Sequence, residues 1–269
     1  MTTAPSRIEG FAPSPGATLS FALTSALLVV VAHAVAYLAH EYAHSIVAWA
    51  LGWMTSPLAL DYGPATLNNI LFLGDVGDNV PYDAIFAQGS DLQAAVIALS
   101  GMAIGNVAAY VLLARLATRP WIAGHRMRLS IVFWLALMSA GNVWSYVPVR
   151  ALATHADIAL AAKGFGVSPW LQLPLLLIPS LGVILHFFGR MCGPAIAGIA
   201  RAATGRAVVV IALTGYWFFV FFVGDAAGGS YGMPAEVIAI TSKYLLFPLS
   251  TAWLWHRYAA SLTTPDISR

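Results

Sequence analysis

Two histidines and a glutamate lie within five consecutive residues of an otherwise apolar stretch. They are His40, Glu41 and His44, in the sequence HEYAH, and residues 18–39 and 45–53 contain no Asp, Glu, Lys or Arg. Residues four apart on a helix share a face, so both imidazoles can bind one metal ion while the adjacent carboxylate acts as a general base. An ionisable side chain inside a membrane costs about 2.5 kcal/mol or more, which marks it as functional. The pattern predicts a Zn²⁺ site with His40 and His44 as ligands and Glu41 as the catalytic base.

A catalytic zinc ion usually has three protein ligands and one open position, so a third ligand is required. His155 and Asp157 lie on the same predicted side of the membrane as the histidine pair. We favour Asp157, with His155 either supporting it or replacing it; an ordinary solvated loop is the alternative. Asn142 is polar within an apolar stretch and is predicted either to position a substrate or to form a hydrogen bond between helices.

The composition is that of an integral membrane protein. Of the 269 residues, 59% are hydrophobic and only 9% are charged, whereas soluble domains carry about 25% charged residues. The fold class predicted is all-α and polytopic, a single membrane domain over 1–269 with a flexible tail (1–17), a catalytic core (18–160) and additional transmembrane helices (161–269). Apolar stretches long enough to span a bilayer lie near 18–52, 92–114, 129–147, 169–189, 207–224 and 236–255.

The distribution of basic residues predicts the orientation, because cytoplasmic loops are enriched in Lys and Arg. One side of the predicted bundle has only Arg150 and Lys163, and Lys243 falls within the last span. The other side has ten arginines: Arg7, Arg115, Arg119, Arg126, Arg128, Arg190, Arg201, Arg206, Arg257 and Arg269. Both termini are therefore predicted to be cytoplasmic, in a membrane that we expect to be the bacterial cytoplasmic membrane, with HEYAH nearer the opposite side.

The segment 54–91 is too long for a simple connection. It contains no Lys or Arg and combines turn signals with short apolar pieces. Irregular backbone at membrane depth requires burial in protein or a wet cavity. We predict a short irregular or β-like membrane-associated segment that packs over the site, with a surface loop as the open alternative.

The stretch from His40 to Pro64 resembles the site-2 protease family of intramembrane zinc metalloproteases. That family has HExxH in a membrane helix, followed by small residues and a β-like segment that ends in Gly-Pro. The sequence from Ser100 to Asn106 is similar to the family's next helix; it keeps Gly101 and Asn106 but lacks a proline and has one extra residue.

A third region resembles the family's Asn…Pro…Asp-Gly motif. Asn142, Pro148 and Asp157 occur in that order, but the spacing is longer and Ile158 replaces the glycine. The resemblance spans roughly residues 40 to 160.

The resemblance implies zinc ligation by His40, His44 and Asp157, activation of water by Glu41, and positioning of the substrate by Asn142. Asn106 and His155 are further candidates for substrate positioning. In known members of the family the active site opens toward the cytoplasm. The arginine distribution in this sequence instead predicts a site that opens toward the non-cytoplasmic side.

The function expected is hydrolysis of peptide bonds in membrane-associated substrates. Two alternatives stay open: a membrane zinc hydrolase that cleaves lipid amides or esters, and a catalytically silent metal-binding scaffold. The expected partners are a membrane protein or peptide substrate and the lipid bilayer. The sequence has no glycine pattern for nucleotide binding and no basic surface pattern for nucleic acid.

Overall fold

In the part of the chain that the structure describes, six helices are long and apolar enough to cross a membrane, and they agree with the six spans predicted from the sequence. The structure, a computed structural model, describes residues 15–263. The helices are α1 (Pro15–Ala50), α2 (Asp91–Ala117), α3 (Arg126–Val149), α4 (Pro169–Ala200), α5 (Thr204–Phe221) and α6 (Met233–Leu262). Their number, length and composition indicate an integral membrane protein.

Helix α1 has an outer apolar face and an inner polar one. Exposed aliphatic residues recur at every fourth position on the outer face: Leu19, Leu23, Leu27, Val31 and Val35. Because such residues stack along one side of a helix, they form a stripe suited to contact lipid. The inner face buries His33, His40, Glu41 and His44, so α1 directs its ionisable residues into the bundle.

Helix α3 lies at the centre of the bundle. All of its residues from 136 to 145 are buried, and it packs against α1, α2, α4 and α5. Phe187 of α4 stacks between Phe133 of α3 and Phe218 of α5, with ring centroids 5.8 Å from each. This core fixes the helices that carry the candidate site.

Each of the five helices after α1 contains a stretch of π-helix. These wider turns are Gly101–Ala108, Ser145–Val149, Phe187–Cys192, Trp217–Phe221 and Ser242–Leu246. Such turns are rare and often lie at functional sites. Helix α4 continues past its wide turn through Pro194 to Ala200, well beyond the predicted end at 189. Arg257 donates a hydrogen bond of 2.9 Å to the Gly189 carbonyl in this turn.

The segment between α1 and α2 is irregular, and the β-like part of the prediction is not seen. It contains two short helices, Leu67–Phe72 and Tyr82–Ala87. Within residues 15–263 there is no strand, and the one isolated antiparallel bridge joins Asp61 to Gly77. The many turn-forming residues of the segment account for the short, interrupted elements.

This irregular segment is bonded to the inner face of α1. The carbonyl of Phe72 accepts a hydrogen bond from His33 Nε2 at 2.9 Å, and that of Val76 accepts one from the Tyr37 hydroxyl at 3.0 Å. Ser45 donates to the Asp78 carbonyl at 2.8 Å. The protein itself thus satisfies these backbone carbonyls, as irregular structure at membrane depth requires.

Three shorter helical pieces complete the described chain. They are Pro120–Ala123, Asp157–Phe165 and the 3₁₀ turn Asp225–Gly228. Residues 15–17, which were predicted to belong to the tail, lie in the first turn of α1, where proline is well tolerated. Residues 1–14, with Arg7, and Arg269 lie outside the described residues.

Candidate metal centre

The ring nitrogens of His40 and His44 face each other inside the bundle. Their Nε2 atoms are 3.1 Å apart, and each histidine is only 1% exposed. The helical spacing of four residues brings the rings onto the same face of α1. The predicted histidine pair therefore exists as a geometric unit.

Helix α2 holds both rings by their other nitrogen. His44 Nδ1 lies 2.7 Å from the Ile97 carbonyl, and a carbonyl can only accept, so Nδ1 carries the proton. His40 Nδ1 lies 2.6 Å from Asn106 Oδ1 in the same kind of contact. When neutral, a histidine that donates from Nδ1 has a lone pair on Nε2, so in that state the two Nε2 atoms can both bind one metal ion.

Asp157 adds a third acceptor to this pair. Its Oδ2 atom lies 3.1 Å from His40 Nε2 and 3.3 Å from His44 Nε2. Burial alone would raise the pKa of Asp157, but His44 and His40 outweigh that effect and hold this pKa below its usual range. The carboxylate is therefore ionised at neutral pH.

The donor set and its spacing fit a zinc ion. A tetrahedral site with bonds of about 2.0–2.2 Å places its ligand atoms roughly 3.3–3.6 Å apart, close to the 3.1–3.3 Å found between the atoms of His40, His44 and Asp157. Acceptors this close, two of them on fully buried histidines, repel one another unless a proton or a metal ion lies between them. The hydrogen bonds on both Nδ1 atoms are those that orient metal-bound histidines elsewhere.

Asp157 reaches the histidines because the helix Asp157–Phe165 packs closely on the start of α2. A Cβ atom on Gly164 would lie 2.8 Å from the Cβ of Ala95, so only glycine permits this approach. The preceding residue, Ala156, has φ 72° and ψ 178°, a conformation that side-chain-bearing residues rarely adopt. This strained residue directly precedes Asp157 in the chain.

Glu41 is buried beside the three acceptors. Its carboxylate, the carboxylate of Asp78 and a ring nitrogen of His44 offer ligand atoms that lie within 4.8 Å of one another. Glu41 is 6% exposed, and both His44 and Asp157 influence it electrostatically. A buried carboxylate beside the ligand cluster is the kind of group that could serve as a general base.

Asp78 is a site residue that the sequence did not single out. Its Oδ2 atom lies 3.9 Å from His44 Nδ1 and accepts a 3.1 Å hydrogen bond from the Tyr82 hydroxyl. Burial raises the pKa of Asp78, and the nearby His44 opposes that shift. Asp78 is one of several acids in an irregular segment, so no spacing in the sequence distinguishes it.

The three predicted substrate-positioning residues lie in different places. Asn106 contacts His40 directly, so its role in the structure is to orient a candidate ligand. His155 is exposed and stacks on Tyr231, with centroids 4.8 Å apart, away from the histidine pair. Asn142 is buried in α3 and lines a cavity beside the site.

That cavity has a volume of about 570 Å³. Residues of α1, α3, α5, α6 and the irregular segment line it, including Tyr37, Asn142 and Tyr146. The ring of Tyr146 also packs on His40, with centroids 4.4 Å apart. The cavity and the candidate metal centre therefore share a wall.

Comparison of the chain with protein-family models, curated proteins and solved structures found no match.

Proposed function

We propose that this protein is an intramembrane zinc metallopeptidase that hydrolyses peptide bonds of membrane-associated substrates. One observation carries the proposal: His40, His44 and Asp157 bring three potential metal-ligand atoms within 3.1–3.3 Å of one another, with a buried glutamate beside them. The same four residues are those implied by the resemblance to site-2 proteases.

Each residue has a chemical task in this reaction. A zinc ion bound at the site would supply Lewis acidity and a water of pKa near 7. Glu41 accepts the proton of the attacking water and delivers it to the departing amine. Asn106 and the Ile97 carbonyl accept hydrogen bonds from Nδ1 of His40 and His44 and so aim the Nε2 atoms of both rings at the centre.

The membrane setting defines the class of substrate. The site is on the inner face of a helix suited to span the bilayer, and the adjoining cavity has room for a few side chains. A substrate in the same membrane reaches this depth, where a water-soluble protein does not. We further propose a bacterial cytoplasmic membrane, cytoplasmic termini and a site nearer the opposite side, from the arginine distribution.

The test is turnover of synthetic transmembrane peptides by purified protein. Glu41→Gln keeps the size of the side chain but removes the base, so turnover should fall by about 10²–10⁴-fold while the zinc content is unchanged. Glu236→Gln is a matched control, because this glutamate lies in the first turn of α6. Phospholipid and sphingolipid amides are offered to the same preparations.

Three outcomes would contradict the proposal. The first is full turnover by Glu41→Gln, and the second is equal loss in Glu236→Gln. The third is hydrolysis of a lipid amide or ester with none of any peptide, which would assign the zinc chemistry to lipid cleavage instead.

A further inference from the structure

The cavity beside the candidate metal centre contains two cationic side chains. Arg150 follows the end of α3, and Lys243 belongs to the π-helical stretch of α6. Neither forms an ion pair with any side chain that the structure describes. Lys243 lies within the last span, where an unpaired cation is costly and usually marks a ligand or ion pathway.

Arg150 is held in a defined orientation. Its guanidinium carbon lies 4.5 Å from the ring centre of Tyr231 and 5.2 Å from that of Tyr146. Contacts with two aromatic rings fix the plane of the guanidinium group. The Nε atom is buried and has no hydrogen-bond partner, so the group keeps donor capacity for a ligand.

The described lining of the cavity complements an anion. It contains hydroxyl and amide groups, including those of Asn142 and Tyr216, and no carboxylate among the described side chains that line it. Phe72 and Phe221 add an apolar wall, which suits the remainder of a membrane-embedded segment. A planar guanidinium group binds carboxylate with two parallel hydrogen bonds.

We propose that this cavity binds a carboxylate of the peptide substrate, held by Arg150 and Lys243 next to the scissile bond. The inference rests on the proposed function and names the class of substrate: a membrane peptide with an acidic side chain or a free C-terminus close to the cleaved bond. A peptide fits better than a lipid headgroup because Asn142 and the tyrosine hydroxyls offer partners for backbone amides as well as for the anion.

Binding tests the inference separately from turnover. Zinc-loaded Glu41→Gln protein in phosphatidylcholine nanodiscs is titrated with fluorescent apolar peptides of four kinds. Each peptide has either Glu or Gln at its centre and either a free or an amidated C-terminus. Comparison of the four peptides distinguishes binding of a side-chain carboxylate from binding of a terminal one. We expect one type of carboxylate to tighten binding roughly 10- to 100-fold, the range for hydrogen bonds to a charged group.

Variants identify the residues responsible. Arg150→Gln and Lys243→Gln should each remove most of the preference, and Arg150→Lys should restore part of it. Lys163→Gln is the control, because this cation lies at the same end of the protein but packs on Phe86, with Nζ 3.8 Å from the ring centre. If Arg150→Gln fails to fold, Lys243→Gln still decides the question.

The outcomes separate this inference from the proposed function. Hydrolysis by the wild type without any carboxylate preference in binding overturns the inference and leaves the function. A preference that survives in both glutamine variants also overturns it. Displacement of the peptide by phosphatidylglycerol, lost in the same variants, assigns the cavity to a lipid phosphate. A preference that depends on Arg150 and Lys243 supports the inference even if no peptide is hydrolysed.

Discussion

The backbone of Gly101 lies so close to His44 that a Cβ atom on Gly101 would overlap the Nε2 atom of His44 and lie 2.7 Å from that of His40. Gly101 opens the π-helical stretch of α2 that also carries Asn106. The same turn thus orients one ring through Asn106 and leaves open the space into which both rings point.

Replacing Gly101 with alanine should abolish metal binding without removing any ligand. The methyl group would occupy the place between the Nε2 atoms, and the rings could not reach one ion. Metal content measured after equilibration with excess Zn²⁺ should fall to background. Gly182→Ala in α4 is the control, because a Cβ there meets nothing within 4 Å. A full equivalent of zinc in Gly101→Ala would mean that the histidines do not bind metal in this geometry.

Asn106→Ala should weaken zinc binding by roughly 10–100-fold, the usual effect of losing a partner that orients a metal ligand. Without Asn106 Oδ1, the Nδ1–H group of His40 is buried with no acceptor and the ring is free to turn. Competition with a chromogenic chelator gives the affinity. Asn142→Ala removes an equally buried asparagine that does not contact either histidine, and its zinc affinity should match the wild type. Equal losses in both variants would indicate general destabilisation.

Asp157→Asn should lower zinc affinity by more than about 100-fold, beyond the loss typical of an outer partner, because the neutral amide is a poor ligand. His155→Ala should retain wild-type affinity, since His155 contacts Tyr231 and not the acceptor cluster. The same chelator competition measures both. A loss of zinc affinity in His155→Ala with none in Asp157→Asn would indicate that His155 is the third ligand.

Ala156→Gly should stabilise the protein by about 1 kcal/mol. Glycine relieves the strain of a positive φ, roughly 1–3 kcal/mol, and loses about 0.5–1 kcal/mol in chain entropy. Thermal unfolding in detergent should show a rise of roughly 2–4 °C. Ala159→Gly, inside the following helix, should lower the transition temperature by a similar amount. A decrease in both variants would contradict the strain at Ala156.

The sequence was informative wherever periodicity or spacing carried the signal. Apolar length predicted six spans, and the i, i+4 spacing of His40 and His44 predicted their shared face. The order of the predicted spans placed Asp157 on the same side of the bundle as the histidine pair. The resemblance to site-2 proteases identified Asn106 as a candidate site residue.

Other features depend on long-range packing that no local pattern encodes. Asp78 reaches His44 through an irregular segment without periodicity, and Asn142 borders a cavity formed by four helices. The β-like segment expected after Gly52 forms no strand among the described residues, where turns, short helices and the single Asp61–Gly77 bridge take its place. From the sequence, Arg150 was recognisable only as one of the basic residues that predict orientation. Its contact with Tyr231 joins parts of the chain that are far apart in sequence, so no local pattern predicts it.

The most direct test of the central claim is the zinc content of wild-type protein purified without chelators and measured by inductively coupled plasma mass spectrometry. We predict about one zinc ion per chain, the number that one three-ligand site holds, and background levels in His44→Ala purified in parallel. A wild-type protein that contains no stoichiometric metal and takes up none from excess Zn²⁺ would contradict the account.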